Sequence, residues 1–365
     1  MKPFLVLASI NPLENLRPLA SELLRTGTKI IVVDEGDAAI RAKNDSILVG
    51  LDRAYYGPQE RLDWFKARFP GDYERHASLI PERAHAETSF GFLVAYEEGA
   101  GYIVELDDDV FAESLMEDHR DNLMGAGGKT VSSPSRWYNT LDALTITAPC
   151  RLFPRGHPYS PSARTGEYTW SESGGTCVLN MGHWVGCPDF DAMTILYHGG
   201  LAGRGGISGM SMNEEKVVVG KGTYFAVCSM NTSFLPKAVP AFYQLYMNTL
   251  GIDRFDDIWS GVFLKRAADH LGDRVCLGKP AGNHDKRPRS VFKDLRKEMD
   301  GMIMNESVWE TVDSDITGGS YSDAYLSIAD LLWKGAGKFA DPTQRRFMEM
   351  QVEKMRLWVE TVDSL

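Results

Sequence analysis

The stretch Gly101-Tyr102-Ile103-Val104-Glu105-Leu106-Asp107-Asp108-Asp109-Val110 limits the fold more than any other part of the chain. Its aromatic and β-branched run reads as a strand buried in a parallel sheet, and three consecutive carboxylates at its carboxyl end cannot belong to a core. They must face something positive. Ligands of open α/β sheets sit just beyond the carboxyl ends of the strands, so this acidic edge is placed to hold a hard divalent cation through oxygen ligands. A solvated turn, or the cap of a following helix, is the alternative that three adjacent Asp leave open.

The residues before this strand alternate between two periods. Phe4 to Ala8 reads as a first strand, Leu16, Leu19, Ala20, Leu23 and Leu24 recur at helical spacing up to Gly27, and Lys29 to Val33 makes a second strand ending in Asp34-Glu35-Gly36-Asp37. Residues 55 to 73 carry charge and aromatics without a clean period, and Glu82 to Glu97 reads as a helix leading into the central strand. Such alternation predicts an α/β protein with a mostly parallel, doubly wound sheet flanked by helices. From about residue 125 to 222 Gly, Pro, Ser and aromatics dominate, and Gly199 to Gly209 reads as a surface loop or an active-site lid that fits no phosphate-binding glycine motif. Val217-Val218-Val219 and Tyr224 to Val227 then read as strands, and Ala238 to Leu250 as a helix. Asp256-Asp257 opens another helix, where an N-cap is the plain alternative to a chemical role. At the end, Asp341-Pro342 starts a helix whose Met348, Val352, Met355, Val359 and Val362 form one apolar stripe, facing either the parent domain or a second copy of the chain.

Charge and cysteine usage exclude some classes. A net charge of −11 argues against nucleic acid or anionic membrane as partner, since phosphate binding needs a positive surface. Five scattered cysteines without a C-x-x-C pair argue against a disulfide framework or a zinc site and for a reducing, cytoplasmic setting. The apolar run at the N-terminus is too short to span a membrane. His85-Ala86-Glu87 with Pro149-Cys150 is similar to a zinc deaminase signature, but Phe153 stands where its second cysteine belongs, and the zinc site would be incomplete.

The motifs in order resemble a nucleotide-sugar glycosyltransferase of the GT-A type, and more closely the reversibly glycosylated polypeptide family, which includes UDP-arabinopyranose mutases. The resemblance rests on Ser89-Phe90-Gly91-Phe92, Leu106-Asp107-Asp108-Asp109, Phe153-Pro154-Arg155-Gly156-His157-Pro158-Tyr159-Ser160, Pro188-Asp189-Phe190-Asp191-Ala192, Lys221-Gly222-Thr223, Cys228-Ser229-Met230-Asn231 and Arg254-Phe255-Asp256-Asp257-Ile258-Trp259-Ser260-Gly261. It divides the chain into a GT-A-like catalytic domain, residues 1–310, and a C-terminal helical extension, residues 311–365, whose last helix lies outside the resemblance.

The resemblance implies roles that the residue chemistry can support. Asp109 would bind Mn²⁺ or Mg²⁺ bridging the donor diphosphate, Asp107 would share the metal or face the ribose, and His284 would be a further ligand, its imidazole favouring Mn²⁺. Asp34, Gly36 and Asp37 match a turn that receives the nucleoside, and Asp108 counts among the substrate-binding residues. Arg155 and Lys286 would meet phosphate, although a structural ion pair is an equal reading of Arg155. Asp257, with Asp256 second, would be the general base for an inverting displacement. The family also carries an arginine in an Ala-Cys-Arg-Cys-Phe-Gly-Tyr segment, tied to self-glycosylation and mutase activity, and Thr88 stands at its place. That departure favours transfer from a UDP-sugar donor to an external small-molecule or glycan acceptor, with a UDP-sugar mutase or a non-catalytic nucleotide-sugar-binding scaffold as alternatives. A homo-oligomer stays open.

Overall fold

A computed structural model describes residues 1–148, 150–186, 188–198, 207, 209–285 and 290–365. In chain order its first half runs β1 (Pro3–Ser9), α1 (Ala20–Thr26), β2 (Lys29–Asp34), α2 (Ala38–Ile47), β3 (Arg53–Tyr56), α3 (Pro58–Arg68), α4 (Tyr73–Ala77), α5 (Thr88–Glu97), β4 (Tyr102–Leu106), β5 (Val110–Phe111), α6 (Met116–Met124), β6 (Lys129–Ser132), β7 (Leu144–Thr147) and β8 (Thr169–Ser171). Next come β9 (Leu179–Val185), α7 (Ala192–His198), β10 (Gly209–Met212), β11 (Lys216–Val219), β12 (Asn231–Phe234), α8 (Asp256–Leu271), β13 (Val275–His284), α9 (Val291–Val312), α10 (Tyr321–Gly335) and α11 (Pro342–Asp363).

Among the described residues one large sheet has the order β3-β2-β1-β4-β12-β9-β13-β11-β6-β8, with β5 paired to β13. The β3 to β4 part is wholly parallel, as the alternating sequence predicts. Beyond it the sheet is mixed: β12 lies antiparallel between β4 and β9, β9 and β13 keep the direction of β4, and β11 and β6 run opposite to it. The central strand therefore ends in the middle of the sheet, where helices and loops from both halves of the chain can reach it. Above it α5 is buried on all sides from Thr88 to Ala95. Burying each of its large apolar side chains contributes about 1.5–3 kcal/mol.

Three segments depart from the sequence expectation. The aperiodic stretch 55–73 contains β3, α3 and the start of α4. Its pattern is broken because Arg61, on the buried face of α3, is held by Glu35 at 2.5 Å and Glu87 at 3.0 Å. Tyr224 to Val227 is no strand; Tyr224 makes one isolated bridge to Trp137, and the strand is the polar Asn231–Phe234. Its side chains are satisfied internally, with His119 contacting Asn231 at 2.9 Å and Ser233 at 2.8 Å. The stretch Ala238 to Leu250 forms only a 3-10 turn over Pro236–Ala241, because Pro240, inside it, lacks the backbone donor that an α-helix continuing from Pro236 would need. In addition, the helix expected from Glu82 begins at Thr88. Of the glycine-rich segment, 199–206 and 208 lie outside the described residues, as does Cys187.

The boundary placed after residue 310 falls inside α9, and α10 and α11 share the single large core. The apolar stripe of α11 is buried against the parent domain, with Val352 and Met355 at 0% exposure. Cys150, Cys177, Cys228 and Cys276 are free thiols. No helix among the described residues is long and apolar enough to cross a membrane.

Candidate active site

A cleft of about 500 Å³ opens at the carboxyl end of β4. Its front wall is the turn between β4 and β5. Because Val110 in β5 pairs with His284 at the end of β13, Asp109 is carried beside the His284 imidazole, 3.7 Å from Nε2. Asn15 braces this turn by donating to the carbonyls of Asp107, at 2.9 Å, and Val110, at 3.1 Å. The Asp108 carboxylate points elsewhere, accepting from Ser9 Oγ at 2.6 Å and Asn11 Nδ2 at 3.0 Å.

The back wall is the start of α8 with the loop around Arg155. Gly156 adopts φ +87, and a Cβ there would stand 2.6 Å from Ile258, so glycine lets the loop turn tightly against α8. The turn leaves Arg155 buried, with Nε donating to Asp189 at 2.6 Å, Nη2 donating to Asp257 at 3.2 Å and Nη1 donating to the Arg254 carbonyl. Asp257 also accepts from the backbone N–H of Ile258 at 2.9 Å and of Ser229 at 3.3 Å. Burial raises the Asp257 carboxyl despite the adjacent guanidinium.

Between the walls stands His85. Its Nε2 is 3.0 Å from Asp107 and 3.7 Å from Glu105, and its Nδ1 is 3.4 Å from Asp256. Burial opposes the imidazolium, but the surrounding carboxylates, Asp107 first, raise His85 well above the usual imidazole range. Burial tends to raise Asp256 too, yet the His85 hydrogen bond and charge hold it below the ordinary carboxylate value. Glu105, wholly buried in β4, is pushed up to about 8 by burial, with His85 opposing the shift, and accepts from Gln244 at 3.2 Å. Lys293 and Lys297, from the first turns of α9, complete the rim.

The structure thus gathers Asp107, Asp109, Arg155, Asp256, Asp257 and His284 around one cleft. Asp34, Gly36 and Asp37 are not among its lining residues. Asp34 accepts from the Gly36 N–H at 3.0 Å, and Asp37 caps α2 by accepting from the Ile40 N–H at 2.9 Å. Ser9, the partner of Asp108, lies directly opposite Asp34 in the sheet, so Asp108 links that turn to the cleft. Lys286 lies outside the described residues. His85, Glu105 and Asp189 were not singled out from the sequence. A glutamate inside an otherwise apolar buried strand was the available signal for Glu105, whereas His85 was read only against a zinc motif.

Among the described residues no group of three His, Cys, Asp or Glu is spaced to hold a metal ion by itself. Asp109 and His284 form a pair, and the buried Nδ1 of His284 has no hydrogen-bond partner among the described residues. One carboxylate and one imidazole suit a cation that takes its remaining ligands from substrate phosphates and water.

A family profile for reversibly glycosylated polypeptides matches residues 73–365, including α10 and α11. The chain belongs to the reversibly glycosylated polypeptide family. UDP-arabinopyranose mutase 3 of Arabidopsis thaliana is 29% identical over 348 residues, covering 92% of this chain and 84% of the relative. UDP-arabinopyranose mutase 1 of Oryza sativa subsp. japonica is 28% identical with the same coverage. A probable UDP-arabinopyranose mutase 1 of Zea mays is 30% identical over 76% of this chain and 69% of its own length. Mouse xyloside xylosyltransferase 1, at a TM-score of 0.20, 13% identity and coverage of 37% of this chain and 53% of that one, overlaps too little to carry an argument.

In this family member Thr88 is buried at the start of α5, its hydroxyl donating to the His85 carbonyl at 3.1 Å, and it does not line the cleft. The arginines that line the cleft are Arg83, Arg155 and Arg254. Thr88 itself brings no cation to the site; its hydroxyl ties the start of α5 to the segment that carries His85.

Proposed function

We propose that this family member interconverts the pyranose and furanose forms of a UDP-sugar, with UDP-arabinopyranose as the first substrate to test. The observation that carries the reading is the meeting, in one cleft, of the Asp109–His284 pair with the His85–Asp256 pair, in a chain whose mutase-named relatives align over nine-tenths of its length.

Ring contraction keeps every atom of the sugar. At the anomeric carbon the bond to the C5 oxygen breaks, a bond from the C4 oxygen forms, and one proton passes from the second oxygen to the first. Asp256 and His85, in contact at 3.4 Å, can accept that proton and return it, since both face the cleft. Asp107 and Glu105 hold the imidazole in place. Mn²⁺ or Mg²⁺ at Asp109 and His284, with Asp107 alongside, would supply charge neutralisation on the nucleotide diphosphate. Asp34 and Asp108, joined through Ser9 along the strand ends, extend the site toward the nucleoside.

Transfer to an external acceptor is the second reading, since a base beside the anomeric carbon serves an incoming hydroxyl equally well. Incubation with UDP-arabinopyranose and Mn²⁺, followed by chromatography and mass spectrometry, separates the outcomes. An isomer of unchanged mass supports the mutase reading. Free UDP with a new glycoside supports transfer, and unchanged donor would leave only a binding role.

A further inference from the structure

α9 is buried on one side through Val291, Gly301, Met304, Asn305 and Val308. Its opposite side exposes large apolar groups in the helix interior, with Phe292 at 60%, Met299 at 48% and Ile303 at 57% exposure. Together with Arg296, Glu306 and Glu310 these residues recur at alternating steps of four and three. This is the spacing of a coiled-coil seam rather than of scattered surface residues.

The strip is also ordered by charge. Arg296 lies toward the N-terminal end, Met299 and Ile303 at the centre, and Glu306 and Glu310 at the C-terminal end. A helix with that order complements itself when turned end for end. In an antiparallel pair centred between Met299 and Ile303, each Met299 meets the other copy's Ile303, and each Arg296 meets the other copy's Glu306. Phe292 then covers the stem of Glu310. All three layers obey one register, which is what an isologous two-fold contact requires. Among the described residues no bond or ion pair engages the Arg296 or Glu310 side chains, whereas Glu306 accepts from the backbone N–H of Tyr159 at 2.5 Å and of Ser160 at 3.2 Å, each through one carboxylate oxygen. α7 packs beside α9 and also exposes Met193 and Tyr197.

We propose that this face of α9 is the contact between two copies of the chain, paired antiparallel about a two-fold axis at Gly301. The stripe of α11, the other candidate for such a contact, is buried within its own chain.

The test is light scattering on the full chain after size exclusion, across micromolar concentrations. The expected mass is twice the 40.6 kDa of one chain. Met299→Asp and Ile303→Asp should each shift the species to monomer with the melting temperature of the dissociated protein retained. Arg296→Glu should raise the dissociation constant at least tenfold, and its effect should shrink with added salt. For the register, a Met299→Cys, Ile303→Cys double variant should cross-link between chains under mild oxidation far faster than a Phe292→Cys, Ile303→Cys variant. A monomer at every concentration, a dimer indifferent to both aspartate substitutions, or equal cross-linking by the two cysteine pairs would overturn the proposal.

Discussion

The two walls of the cleft use the same residue types in opposite ways. At the back, Arg155 is buried and bonded to Asp189 and Asp257, so its charges are spent on each other and fix the loop to α8. At the front, the Asp109 and His284 side chains stand 3.7 Å apart, close enough to share a ligand and too far for a strong hydrogen bond. A buried ion network is expensive to disturb, because removing one member leaves the others desolvated. The Asp109 side chain, 19% exposed at the strand end, is cheaper to change, and that is the condition a binding group meets. Acidity alone thus does not mark function; how deeply a carboxylate is buried in an ion network separates scaffold from ligand-binding group.

Arg155→Met should have the largest effect on folding. It leaves Asp189 and Asp257 buried beside one another without the guanidinium, a loss of about 3–5 kcal/mol for a broken buried pair. Thermal unfolding followed by circular dichroism checks this. A loss under about 1 kcal/mol would mean that the back wall is no more locked than the front, and the contrast would fail.

This difference between walls was only partly visible in the sequence. The parallel unit from β1 to β4 and the acidic end of β4 were legible, because periodicity and three adjacent carboxylates are local signals. Asp256, Asp257, Arg155 and His284 could be named as candidates, but not their partners, since the Arg155 to Asp257 contact joins residues a hundred positions apart. β12 was invisible because Asn231, Thr232 and Ser233 look like a loop until His119 and the Cys228 carbonyl satisfy them. The sequence offers His85 only a zinc motif that fails, because its partners are distant in the chain and only the fold brings Asp107 and Asp256 to its two nitrogens.

A second test sharpens the comparison with another guanidinium shared by two carboxylates. Arg61 holds Glu35 and Glu87, and burial, with the charge of Glu35 adding to it, pushes Glu87 up to about 9. A carboxyl whose pKa is higher folded than unfolded binds more protons in the native state. Its contribution to stability is full below about 4.5 and is lost as pH rises toward about 9. The slope from one such group is at most about 1.4 kcal/mol per pH unit. Glu87→Gln should therefore flatten the fall in melting temperature between these limits, gaining most at the alkaline end. An unchanged slope would show that Glu87 is ionised in the folded protein and that this cluster behaves as a fully charged network.

The smallest change in folding is expected at the front wall, and it is the most informative. Asp109→Asn should alter the stability of the ligand-free protein by no more than about 1 kcal/mol, since the side chain is partly exposed and the amide is nearly isosteric with the carboxylate. The same substitution should abolish the stabilisation by Mn²⁺ with UDP, which for the unaltered protein at a hundredfold excess over Kd amounts to about 2.7 kcal/mol. Differential scanning fluorimetry with UDP alone, Mn²⁺ alone and both together reads the two effects separately. Retention of the joint upshift in Asp109→Asn would place the nucleotide's cation away from the strand end. The front wall would then be no different in kind from the back, and the group that meets the nucleotide's phosphates would have to be sought at Lys293 on the rim.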